Sequence, residues 1–181
     1  MDFHWASIEK KKGEYDFEAY DELVDSLARR GIRALFILDY GNPLYDDNLA
    51  PHTDEGRAAF AKFAAAGAAH FKGKGVLWEL WNEPNGGFWQ PQPNAEDYVK
   101  WAKTVYRALK KADPTCTVLA PALAGWDTAF LENAFKLGLL EATDVVSLHP
   151  YGSAKPEDAA ILYARTRELI ARYARKGKDY P

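Results

Sequence analysis

Short, continuous apolar runs alternate with stretches of helical period from one end of this chain to the other. Residues 1–5 read as the tail of a strand, and 33–38, 76–81, 117–121 and 145–148 as buried strands. Helices fill the intervals and carry their own start and stop signals. Asp16 precedes Phe17, Tyr20, Leu23, Val24 and Leu27 at helical spacing, and Gly31 ends that stretch. Thr53 opens a second helix, with Asp54 and Glu55 where negative charge suits the dipole and Phe60, Phe63 and Ala64 on its apolar side. Asn94, with Asp97 three residues on, opens a third carrying Tyr98, Trp101, Val105 and Leu109, which Asp113-Pro114 stops. Asp127 opens a fourth with Phe130, Leu131 and Phe135, and a last helix runs over about residues 156–173 with Pro156 in its first turn.

Strands that are unbroken apolar runs, each followed by a helix, predict a parallel α/β sheet with crossover helices, buried on both faces. Two architectures compete, an open doubly wound sheet and a closed barrel. A doubly wound nucleotide binder would want a glycine-rich turn after a strand, and neither G-x-G-x-x-G nor G-x-x-x-x-G-K occurs. Instead, polar and aromatic residues crowd the C-terminal ends of successive strands: Asp39, Asn82, Glu83, His149 and Tyr151. That distribution predicts a (β/α)8 TIM barrel, whose active groups sit on that edge. At 181 residues the chain falls short of the ~250 such a barrel typically needs. The expectation is therefore one domain over residues 1–181, an incomplete barrel.

Several function classes are disfavoured. Net charge is -3 with Lys and Arg scattered among acids, which argues against a nucleic-acid partner. No apolar stretch approaches the ~20 residues that span a bilayer. The start, MDFHW, lacks the basic and apolar regions of a signal peptide. Cys116 has no second cysteine to pair with, and His52 and His70 lack ligand-spaced partners, so no metal site is expected. There is no G-x-S-x-G elbow, Ser147 lies inside a strand, and no strand end offers the lysine that a Schiff-base aldolase or lyase would use.

The segment WELWNEPN, residues 78–85, carries the chemistry. Hydrolysing a glycosidic bond with retention needs a proton donor for the leaving oxygen and a second carboxylate about 5 Å away as nucleophile. Glu83, at a strand end between Trp81 and Pro84, suits the donor, which needs apolar surroundings to hold its proton. Asn82 can hold a sugar hydroxyl through an amide that both donates and accepts. Glu79, deeper in the strand, reads as a buried hydrogen-bonding support. Among the aromatics, Trp5 and Tyr40 end strands and are candidate pocket walls, while Phe88, Trp89 and Trp126 lie in loops where a ring can stack on a sugar face. Tyr98 and Trp101 follow helical spacing and read as core.

This strand ending in Trp81-Asn82-Glu83-Pro84 resembles the fourth barrel strand of clan A glycoside hydrolases, which include the cellulase-type family 5 and the xylosidase-type family 39. The run from Val145 to Tyr151 is similar to the clan's sixth strand, and Asp2-Phe3-His4-Trp5 with Ile8-Glu9 and Tyr15-Asp16-Phe17 to its second strand and helix. The resemblance implies Glu83 as acid/base, Asn82 on the sugar 2-hydroxyl, and His149 and Tyr151 beside the nucleophile. It maps the chain onto strand two to helix six, with strands one, seven and eight absent. The clan's nucleophile, a Glu ending strand seven, has no counterpart here, so this chain alone is expected to be inactive. For the parent it implies retaining hydrolysis of a β-linked oligo- or polysaccharide without a cofactor; a polysaccharide substrate would put that parent in the periplasm or outside the cell. The alternative is a carbohydrate-binding remnant without catalysis. A partial barrel would also leave strand edges unpaired, which predicts poor solubility or association.

Overall fold

The computed structural model describes residues 1–151 and 155–181. Five strands form one sheet in chain order: β1 (Asp2–His4), β2 (Leu35–Asp39), β3 (Leu77–Leu80), β4 (Thr117–Ala124) and β5 (Val145–His149). All four pairings are parallel, with Phe3 opposite Leu38, Ile37 opposite Glu79, Leu77 opposite Thr117 and Leu119 opposite Val145. Six helices accompany them: α1 (Trp5–Ile8), α2 (Glu18–Ala28), α3 (Asp54–His70), α4 (Ala95–Ala112), α5 (Thr128–Lys136) and α6 (Ala159–Tyr173). The expected alternation is thus present, and residues 1–5 do hold a strand. Several boundaries moved, three of them instructively. Arg33 lies before β2, its Nε donating to the Gly75 carbonyl at 2.7 Å; β4 continues to Ala124; and Pro156–Asp158 form a 3-10 turn ahead of α6.

Alternation along the strands sorts the side chains onto two faces. Phe3, Phe36, Leu38, Trp78, Leu80, Val118 and Ala120 are almost fully buried. They meet rings from the helices: Phe3 packs on Tyr20 of α2 at 4.6 Å and Phe63 of α3 at 5.4 Å, and Phe60 of α3 meets Trp101 of α4 edge-on at 5.0 Å. Gly67 lets α3 approach β1, since a Cβ there would stand 2.9 Å from the Phe3 ring. Leu35, Ile37, Leu77 and Leu119, on the other face, are only half-buried. Burial on both faces was the expectation; among the described residues helices cover one face only, because all five strands stand side by side and none lies across from another.

Caps follow the sequence signals closely. Thr53 Oγ1 accepts from Gly56 N–H at 2.9 Å, and Asp127 Oδ1 from Phe130 N–H at 3.0 Å. Asp16 acts one residue earlier than expected: Phe17 is the N-cap of α2, and Asp16 Oδ1 accepts from Glu18 N–H at 3.1 Å. Asn94 Oδ1 accepts from Glu96 and Asp97 N–H at 3.0 and 3.1 Å, while its Nδ2 donates to Asp97 Oδ2 at 3.0 Å. Because α4 buries Tyr98, Trp101, Val105 and Leu109 completely, its start is coupled to the core. Asn94→Ala is expected to lower unfolding free energy by about 1 kcal/mol in urea denaturation. An unchanged midpoint would mean that the cap is replaced by water at no cost.

Candidate active site

The turn after β3 leaves strand geometry abruptly. Trp81 has φ 68° and Glu83 φ 52°, the left-handed region that side chains other than glycine rarely adopt. Such residues cost on the order of 1–3 kcal/mol each and persist only when surrounding contacts hold them. Those contacts are present. Trp81 N–H donates to the Leu38 carbonyl at 3.2 Å and Glu83 N–H to the Ala122 carbonyl at 3.1 Å. Asn85 acts as a staple to β4: its Nδ2 donates to the Ala124 carbonyl at 3.1 Å, and its Oδ1 accepts from Ala124 N–H at 2.9 Å. Sequence reasoning gave Asn85 no role, although an amide is the one side chain that can mimic a strand's donor and acceptor together.

This turn puts Trp81 into the core, 1% exposed, and swings Asn82 and Glu83 to the sheet's C-terminal edge. Asn82 Nδ2 donates to the Tyr40 hydroxyl at 2.8 Å. Burial and the neighbouring Asp39 push the Tyr40 hydroxyl up to about 12, so it stays protonated at neutral pH. Glu83 Oε1 lies 3.0 Å from Nδ1 of His149, which ends β5, and the side chains are 16% and 18% exposed. On its far side His149 Nε2 lies 3.6 Å from Oε2 of Glu79, 6% exposed within β3. Glu79, then Glu83, raise the His149 pKa above its ordinary 6.5 against the opposing effect of burial. The support role expected for Glu79 is therefore directed at His149.

Four of the seven residues singled out as catalytic or sugar-contacting come together here: Glu83, Asn82, His149 and Tyr40. Tyr151 stands at the rim, 74% exposed, with its ring 6.1 Å from that of His149. Trp5 and Trp89 do not join them. Trp5 is 1% exposed, stacked on Tyr45 at 5.0 Å, with Nε1 donating to Glu9 Oε2 at 2.5 Å. Trp89 is 2% exposed, ringed edge-on by Trp81, Tyr98 and Trp101 at 5.0 to 5.8 Å. Both are core residues, because each indole buries its apolar area against aromatics that come from other elements. The residue before Trp89 takes the exposed position: Phe88 is 48% exposed and stacks on Tyr40 at 5.6 Å. Together with Trp81, Gly41 and Gln90 these two rings line a 210 Å³ cavity beside Asn82. Gly41 is required there, since a Cβ would collide with the Asn48 carbonyl.

Asp39, at the end of β2, is fully buried, and neither carboxylate oxygen has a hydrogen-bond partner among the described residues. Burial, with Asp2 nearby, pushes its pKa up to about 8. Among the described residues no cluster of His, Cys, Asp and Glu has the geometry to hold a metal ion, and no helix is long and apolar enough to cross a membrane.

Residues 2–180 match the family model described as Cellulase (glycosyl hydrolase family 5). A β-xylosidase of Geobacillus stearothermophilus is 30% identical over 171 residues, covering 82% of this chain and 33% of that protein. Among solved structures, a family 39 glycoside hydrolase from Bacteroides cellulosilyticus WH2 superposes with a TM-score of 0.81 at 24% identity, over 99% of this chain and 41% of that one. A family 39 β-xylosidase from Caulobacter crescentus gives 0.73 at 27% identity, over 98% of this chain and 43% of that one. The chain thus spans about a third of the length of the curated relative it matches.

Proposed function

Because this chain belongs to the cellulase family, glycosyl hydrolase family 5, we propose that it carries the acid/base half of a retaining β-glycosidase site. One observation carries the reading: Glu83 sits on a braced, left-handed turn at the strand edge, hydrogen-bonded to His149 and next to an Asn82 held by Tyr40. In the first step Glu83 protonates the departing glycosidic oxygen while a carboxylate attacks the anomeric carbon. In the second, Glu83 takes a proton from water, which releases the sugar from that carboxylate. Asn82 keeps hydrogen-bonding capacity for a sugar hydroxyl beyond its bond to Tyr40. Tyr40 and Phe88 form the apolar wall on which a pyranose face packs, and Tyr151 completes the rim.

The five-stranded sheet is, in this reading, an arc of a (β/α)8 barrel, and its half-buried face is the barrel interior. Strands side by side in chain order, with helices on one face, support that arrangement. So does the share of the family 39 structures that the chain covers. The other carboxylates of β2 and β3 are not placed to attack: Glu79 is enclosed in β3 against His149, and Asp39 is buried. In this reading the nucleophile lies outside these 181 residues, and the chain by itself is inactive. The substrate is a β-linked sugar; an aryl β-xyloside is the first to test, because a β-xylosidase is among the relatives.

Sequencing the encoding DNA beyond Pro181 tests the reading directly. A strand ending in Glu within about fifteen residues supports it, since two catalytic carboxylates must close to about 5 Å across the barrel edge. A stop codon directly after Pro181 overturns catalysis for this product and leaves a carbohydrate-binding remnant.

A further inference from the structure

His149 is clamped between two carboxylates, and that clamp has a proton requirement. Its Nδ1 faces Glu83 Oε1 at 3.0 Å, and its Nε2 faces Glu79 Oε2 at 3.6 Å. An ionised carboxylate only accepts hydrogen bonds, whereas a neutral imidazole offers one N–H and one lone pair. With both glutamates ionised, a neutral ring would turn a lone pair toward one of them. Besides a proton on Glu79 itself, two arrangements avoid that conflict. In one, an imidazolium donates to Glu83 and turns its charged Nε2–H toward Glu79, 3.6 Å away. In the other, Glu83 is the protonated partner and donates to Nδ1, while Nε2–H still points at Glu79. The two differ only in the position of one proton along the Nδ1···Oε1 hydrogen bond. Moving it from nitrogen to oxygen turns the imidazolium and the Glu83 carboxylate into imidazole and carboxylic acid, with Glu79 ionised throughout and the net charge of the three unchanged.

We propose that Glu79 is a positioning residue for Glu83, acting through His149, which holds the proton that Glu83 delivers. This rests on Glu83 being the acid/base. Glu79 suits the task because it is enclosed: at 6% exposure its charge is little screened, and His149 is its only ion-pair partner among the described residues. It also lies within β3, so its carboxylate is fixed by the sheet, whereas Glu83 stands on the turn and must be free to meet a substrate. Two tyrosines of the site also stand on this edge. Tyr151 approaches edge-on at 6.1 Å, and Tyr40, beyond Asn82, has its hydroxyl pushed up to about 12. The two glutamates are thus the charges that raise the ring's pKa, against the opposing effect of burial.

The test is an NMR titration of the imidazole nitrogens in the full 181-residue chain with isotope-labelled histidine, for the wild type and for Glu79→Gln, Glu79→Asp and Glu83→Gln. In the wild type both ring nitrogens of His149 are expected to keep their protons above pH 6.5, the ordinary histidine value. Glu79→Gln preserves shape and removes charge, so it should lower the His149 midpoint by about one pH unit, the size of effect an opposite charge at this range exerts. Glu79→Asp should restore part of that loss, and Glu83→Gln should lower the midpoint by less than Glu79→Gln. A merely structural Glu79 predicts no change in Glu79→Gln. A wild-type His149 that titrates at or below 6.5 overturns the proposal without any variant, so a misfolded mutant does not protect it. The acid/base assignment of Glu83 fails separately, through the leaving-group dependence of turnover, and that failure would leave the titration as it is.

Discussion

Glu83→Gln, in the complete catalytic domain, is expected to slow hydrolysis of substrates with poor leaving groups by about 10²–10⁴-fold, the usual contribution of a general acid. Glutamine keeps the shape of the side chain and its place beside His149 and loses only the transferable proton. An alkyl or sugar aglycone leaves as an alkoxide unless protonated, so the first step bears the whole loss. A nitrophenol aglycone departs without help, so with that substrate the first step survives and the second becomes slow. Water must then attack the glycosyl-enzyme with no base to remove its proton, and a burst of nitrophenol followed by slow turnover is the expected trace. Full turnover by Glu83→Gln on an alkyl glycoside would remove Glu83 from the mechanism and with it the reading of the turn after β3.

Asp39→Asn should stabilise the chain, by an amount that grows with pH. Asp39 is fully buried without a hydrogen-bond partner among the described residues, and its pKa is pushed from an ordinary 3.8 up to about 8. A raised carboxyl pKa means that the folded chain holds this proton more tightly than the unfolded chain. Below pH 3.8 both states carry the proton and the group is neutral in its effect on folding. As pH rises from about 4 to about 8, the unfolded chain ionises and the folded one does not, so stability falls throughout that window and levels off above it. At about 1.4 kcal/mol per unit the loss has an upper bound of about 6 kcal/mol. Asparagine does not titrate, so the difference in unfolding free energy between Asp39→Asn and wild type should open across the same window. Parallel stability curves from acid to neutral pH would show that Asp39 is ionised and solvated in the folded chain.

Several elements of the fold are legible in the primary structure because their signals are local. Helical spacing in residues 95–112 places Tyr98, Trp101, Val105 and Leu109 on one buried face, and Asn94 and Asp97 mark its start. Unbroken apolar runs read as parallel strands, and the Asn82-Glu83-Pro84 turn is recognisable as a site because the carboxyl, the amide and the strand end fall within one motif. Each of these depends on residues close together in the chain.

The aromatic walls were not legible in this way. Trp89 and Phe88 are adjacent, and nothing local says which one faces inward; Trp81 and Trp101 decide it by enclosing the indole from other elements. Trp5 was expected to line the pocket as the end of a strand, yet α1 begins at that residue and turns the ring onto Tyr45 and Phe60.

The sequence alone therefore determined the order and kind of the secondary elements and the identity of the acid/base candidate, since periodicity and a contiguous motif record those directly. The tertiary structure alone decided that His149 spans Glu79 and Glu83, that Asn85 staples the site turn to Ala124, and that Asp39 is buried without a partner. Those features arise between residues 39 to 70 positions apart or from the exclusion of water, and burial and charge coupling are properties of the folded neighbourhood rather than of the chain's local pattern.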